Sequence, residues 1–191
     1  MENQNEERTS AVGYFFFGKS YLDSAAFLKE GLEKQQLEIP FHAPVYHLFG
    51  RAFELFFKAI IRTNGTSTEQ LKALGHNLER LATKAQKVAD FESLVKDLDI
   101  AQKDYWRKIA KKERDDFLNS ESPFNQAVKT QSNEEIDRSL PNFMQSLKLL
   151  NELYDTPYHT RYFERGSKTY PVFDALYIPA LMLLDRAEEP C

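Results

Sequence analysis

Residues 44 to 65, PVYHLFGRAFELFFKAIIRTNG, constrain the fold more than any other stretch of the chain. Projected at about 100° per residue, His47, Arg51, Glu54, Lys58 and Arg62 fall in one stripe roughly 80° wide. Apolar residues from Val45 to Ile61 fill most of the remaining circumference. A surface helix shows the opposite pattern, an apolar stripe on a polar rod. This segment therefore reads as a helix enclosed by other helices. Pro44 suits its first turn, where the missing N–H goes unused. Gly65 suits the left-handed position just past its end.

Enclosure needs neighbours, and the chain supplies them. At 191 residues it fits one domain, with hydrophobic residues at 42% and only 7 Gly. That Gly content argues against a turn-rich β protein. Residues 1–9 are polar and read as a flexible tail, leaving 10–191 as a single domain. A long first helix is expected over about 10–36, with Tyr14, Phe17, Tyr21, Ala25, Leu28 and Leu32 on its core face. Leu37 to Ala43 is a connector. After the break at Asn64–Thr68 a short helix spans Glu69 to Leu74 and stops at Gly75. His76 or Asn77 then caps a helix whose core face is Leu78, Leu81, Ala82 and Ala85.

A long helix follows over about 91–117, with Leu94, Val95, Leu98, Ala101, Tyr105 and Ile109 on one side. Its charged side mixes signs and reads as solvated. Residues 119–133 are a loop. The next helix starts at Asn133 and runs to Tyr154, with Pro141 either kinking it or opening a shorter one. Residues 158–171 show no period. A last helix covers about 172–188 and should bend at Pro179. No stretch alternates with period two. The expected fold class is all-α, an up-and-down bundle of five or six principal helices.

Several chemistries are excluded by pattern. The formal net charge is −4, which disfavours a general polyanion binder, although a local basic patch is compatible with it. The only cysteine is Cys191, so no internal disulfide forms, in keeping with a cytoplasmic location. The amino end lacks an apolar signal core, and no uncharged run approaches the ~20 residues that cross a bilayer. No Glu-x-x-His, His-Glu-x-x-His or cysteine cluster is present, so no metal site is expected. Neither G-x-G-x-x-G nor a P-loop occurs, and no cofactor is implied.

Three constellations remain. In the stripe, Glu54 and Lys58 form an i,i+4 pair in the favourable order, and Arg51 can pair with Glu54. The stripe is the solvent edge of a buried helix, an internal ion-pair seam, or the lining of a cleft where His47 or Arg51 meets an anionic ligand. His76, after Gly75, caps the next helix or contacts the central one. The third, Tyr158 to Arg165, holds His159, Arg161 and Arg165 among Tyr158, Tyr162 and Phe163. It either stacks single-stranded nucleic acid or packs against acidic helix ends.

The segment HLFGRAFELFFKAII at 47–61, followed by GHNLERL at 75–81, resembles the HEPN domain family. The family's alanine, glutamate and lysine fall on Ala52, Glu54 and Lys58, and its Gly-His-Asx-Leu turn on Gly75 to Leu78. Arg161-Tyr162 resembles an Arg-Tyr element of some members. The resemblance implies a helical bundle that dimerises and acts in nucleic-acid processing, toxin–antitoxin systems or phage defence. Ribonuclease members carry an Arg followed four to six residues later by His. Here the histidines are at 42, 47, 76 and 159, and none has that partner.

The expectation is therefore a non-catalytic homodimeric module. It would bind a partner protein, nucleotide or RNA through residues among His47, Arg51, Glu54, Lys58, His76, Arg161 and Tyr162. The alternative is a ribonuclease or nucleotide-acting enzyme using His159, Arg161 or His76 as a variant site.

Overall fold

A computed structural model of the chain describes residues 10–36, 42–88, 92–118, 141–155 and 171–188. Those residues form seven helices and no strand: α1 (Ala11–Glu33), α2 (Ala43–Thr63), α3 (Thr68–Leu74), α4 (Leu78–Val88), α5 (Glu92–Leu118), α6 (Phe143–Tyr154) and α7 (Phe173–Glu188). The all-α bundle is as expected, with α3 a short addition to six longer helices.

Side chains mark where the helices begin. Ser10 accepts from the Gly13 N–H at 3.0 Å and caps α1. Ser67 with Gln70, and Asn142 with Gln145, form reciprocal capping boxes on α3 and α6. The Asn142 cap starts α6 after Pro141, so the shorter of the two expected helices is the one formed. The expected start at Asn133 lies outside the described residues. At the end of α2, Asn64 is the cap and Gly65 has φ +80°. Helix α7 continues through Pro179, which is buried within it.

Helix α2 is the centre of the bundle. It packs against α1, α3, α4, α6 and α7. Phe49, Phe53, Phe56, Phe57 and Ile61 are fully buried along it. Two glycines set how close its neighbours come. A Cβ on Gly18 of α1 would lie 2.8 Å from the Phe56 ring, and one on Gly50 would lie 2.6 Å from the Tyr154 ring of α6. Both contacts are shorter than van der Waals distance, so these approaches require glycine.

Helix α1 departs from expectation at Phe17. Phe15, Gly18, Leu22 and Ala25 face the core, and Phe17 is exposed. Ala25 is buried and Tyr14, Tyr21, Leu28 and Leu32 pack against the core as expected, so the inward face is wider than expected and Phe17 alone of the six falls outside it. Phe15, Phe16 and Phe17 are consecutive, so the apolar pattern runs around the helix and does not select a side. On α5, Leu98 is buried as expected, but so is Gln102, which donates to the Ser146 hydroxyl at 2.7 Å. Gln102 Oε1 and the Trp106 indole N–H, one turn further on, are buried without hydrogen-bond partners.

Candidate functional site around Glu54

The stripe on α2 is an ion-pair seam directed inward. Glu54 is fully buried (0% exposed) and is engaged by four side chains. Arg51 Nη1 lies 2.7 Å from both carboxylate oxygens. Lys58 Nζ donates to Oε1 at 2.6 Å. His76 Nδ1 is 3.0 Å from Oε2, and the Tyr154 hydroxyl donates to the same oxygen. A carboxylate offers about four lone-pair sites, so Glu54 has no acceptor capacity left over.

The local sequence explains each placement. Residues 51, 54 and 58 share a helix face by their spacing. His76 arrives through the Gly75 turn, whose φ of +67° and ψ of −136° suit only glycine. Asn77 Oδ1 then accepts from the Arg80 N–H at 2.9 Å and caps α4, while its amide donates to Asp155 at 2.9 Å. The Leu78 N–H donates to Asn151 Oδ1 at 2.7 Å, and the Leu78 side chain is fully buried. Every residue of the GHNL turn thus has a structural partner, and Asn151, Tyr154 and Asp155 bring the end of α6 onto the same cluster. Gly50 allows the Tyr154 ring to lie flat enough on α2 for its hydroxyl to reach Glu54.

The electrostatics follow from this geometry. Burial alone would raise the Glu54 carboxyl, but Lys58, Tyr154 and Arg51 outweigh it and hold the group at about 2. Burial and then the Glu54 charge push the Tyr154 phenol well above its ordinary value. Burial works against the Arg51 charge, yet Glu54 and Tyr154 hold the guanidinium more firmly protonated than a free one. Tyr14 of α1 is raised, first by burial, and feels the charges of Arg62, Glu54 and Arg51.

An ionised Glu54 has no proton to give. The 3.0 Å contact therefore requires a proton on His76 Nδ1, and in the neutral ring Nε2 becomes the acceptor. Arg51 Nη1 is 3.4 Å from that same Nδ1, two donors side by side rather than a bond. The His76 side chain is 57% exposed and that of Arg51 32% exposed, so these two form the accessible edge of the cluster.

Of the residues expected from sequence, Arg51, Glu54, Lys58 and His76 meet directly. His47 joins them through Tyr154, with ring centroids 5.5 Å apart. Arg62 turns away and donates to the Thr66 carbonyl at 2.7 Å. His159, Arg161 and Tyr162 lie outside the described residues. Tyr154 and Tyr14 were missed. Tyr154 reads in the sequence as the last apolar position of its helix, and only its spacing of three from Asn151 hints that both face one neighbour.

Chemically, the cluster is poorly suited to base catalysis by its carboxylate. Glu54 is saturated with donors and stays ionised to about pH 2. Among the described residues no group of His, Cys, Asp and Glu has the arrangement of a metal site. No described helix is long and apolar enough to cross a membrane. Two surface recesses, of about 360 and 310 Å³, are lined by other residues. No family model, curated protein or solved structure matches the chain.

Proposed function

We propose that this chain is a non-catalytic HEPN-like helical module that binds a phosphate-bearing partner, a nucleotide or RNA, at the edge formed by Arg51 and His76. The observation that carries this reading is the saturation of Glu54. A carboxylate engaged by Arg51, Lys58, His76 and Tyr154 organises cations rather than moving protons. Arg51 and Lys58 both engage this single acid of α2, and the Arg51 side chain reaches the surface. Arg51 is engaged by Glu54 and Tyr154, and the part of its guanidinium that stays exposed suits a phosphate. A role in toxin–antitoxin or defence systems belongs to the same proposal and rests on the resemblance alone.

Fluorescence anisotropy with a short labelled single-stranded RNA, and calorimetry with ATP, test it. The wild type should bind at least one of them with an affinity that falls as salt rises. The exposed substitution His76→Ala should weaken that binding about tenfold, and the RNA should remain full length on a gel. Absence of binding to both probes, or equal affinity in His76→Ala, overturns the binding site. RNA cleavage by the wild type that His76→Ala abolishes overturns the non-catalytic assignment.

A further inference from the structure

The outer side of α1 carries an exposed apolar patch unrelated to Glu54. Phe16, Phe17 and Phe27 are 60%, 53% and 70% exposed, and Val12 is 41% exposed. At about 100° per residue the four share an arc of roughly 140°, away from Phe15, Gly18, Leu22 and Ala25. At about 200 Å² per ring they present roughly 400 Å² of apolar surface. A patch of that size on a monomer often marks a contact surface.

Polar residues within the arc and, for Lys19, about 20° outside its edge indicate what covers it. Lys19, Ser20, Asp23 and Ser24 are exposed and lie midway between Phe16 and Phe27. The ion pairs of α1 use Lys29, Glu30, Glu33 and Lys34, and neither Lys19 nor Asp23 takes part. Consider a second α1 running antiparallel across a two-fold axis between residues 21 and 22. Positions whose numbers sum to about 43 then oppose one another. Phe16 meets Phe27 of the second copy twice, and Lys19 comes beside Asp23 of the second copy twice. A parallel two-fold arrangement would instead place Lys19 and Asp23 of the two copies on opposite flanks, so that they could not pair. Asp23 and Glu30 on the same side also disfavour an anionic bilayer as the occupant.

We propose that α1 is the interface of a homodimer in which two copies pair antiparallel, with Phe16–Phe27 contacts flanking Lys19–Asp23 ion pairs. None of these residues touches Glu54, so the dimer and the Arg51–His76 edge stand or fall separately.

Sedimentation velocity on the full chain across micromolar concentrations tests the interface, with thermal melts confirming that each variant folds. The wild type should be dimeric. Phe27→Glu, at the most exposed ring, should be monomeric with an unchanged melt. Lys19→Asp and Asp23→Lys should each weaken the dimer about tenfold, and the double charge reversal should restore it. A monomeric wild type, a Phe27→Glu variant as dimeric as the wild type, or a double reversal no stronger than the singles overturns the proposal. A monomer that co-sediments with phosphatidylserine vesicles overturns it in favour of a membrane surface.

Discussion

Glu54 illustrates how much one buried charge depends on its neighbours. Replacing it with alanine leaves the Lys58 ammonium buried and unpaired, and the Tyr154 hydroxyl without its acceptor. Removing one partner of a buried pair costs about 3–5 kcal/mol, because the remaining charge is stranded. Urea denaturation of Glu54→Ala should show a loss of that size, against a few tenths for an exposed control such as Glu33→Ala. A loss under 1 kcal/mol would mean that water reaches Lys58. Acid should have the same effect reversibly. The folded Glu54 pKa, about 2, lies below the ordinary carboxyl value, so its contribution is complete above roughly pH 4.5 and fades as pH falls toward 2. A stability difference between wild type and Glu54→Gln that stays constant from pH 6 to pH 2.5 would contradict this. The Glu54–Lys58 spacing was legible in the sequence because helical neighbours are a local property. The Tyr154 contact was not, since it joins residues 100 positions apart and tyrosine fits an apolar stripe equally well.

At the scale of the element, α2 and α1 show why some helices declare their faces and others do not. In α2 the five polar residues are confined to one stripe, so both the enclosure and the seam follow from periodicity. In α1, Phe15, Phe16 and Phe17 occupy three successive directions, and selection among them falls to Gly18, where the Phe56 ring comes within 2.8 Å of a missing Cβ. Gly18 and the Ala25 below it are small, so α1 can seat against α2 on that side. Small residues mark the closest approach, and Tyr14, Tyr21, Leu28 and Leu32 pack beside it. Gly50 plays the matching part toward α6. Gly50→Ala should push the Tyr154 ring off α2 and weaken its hydrogen bond to Glu54, at a cost of about 1–3 kcal/mol as for other overpacked sites. The same change raises helix propensity by up to about 1 kcal/mol, so a net stabilisation would show that α6 can shift without loss. The capping of α4 by Asn77 was readable in advance, whereas its bonds to the end of α6 required the packed fold.

Across the whole molecule, stability should be unevenly distributed. Helix α2 contacts five others, whereas the main contacts of α5 are with α6 and α7. Native-state hydrogen exchange should find the α2 amides near Phe53 opening only with global unfolding, and α5 amides opening at lower free energy. Equal protection of the two would contradict that hierarchy.

The Tyr154 contact has a consequence for how the protein is made. A ribosome releases α2 about a hundred residues before the tyrosine that completes its carboxylate site, and Tyr46 waits still longer for the Pro171 carbonyl it bonds, 125 positions away. Among the described helices, α1, α3 and α4 are the main neighbours of α2 made in that interval. A nascent chain stalled before residue 142 should therefore be held by chaperones or degraded, and a stop codon there should abolish accumulation rather than yield a smaller working domain.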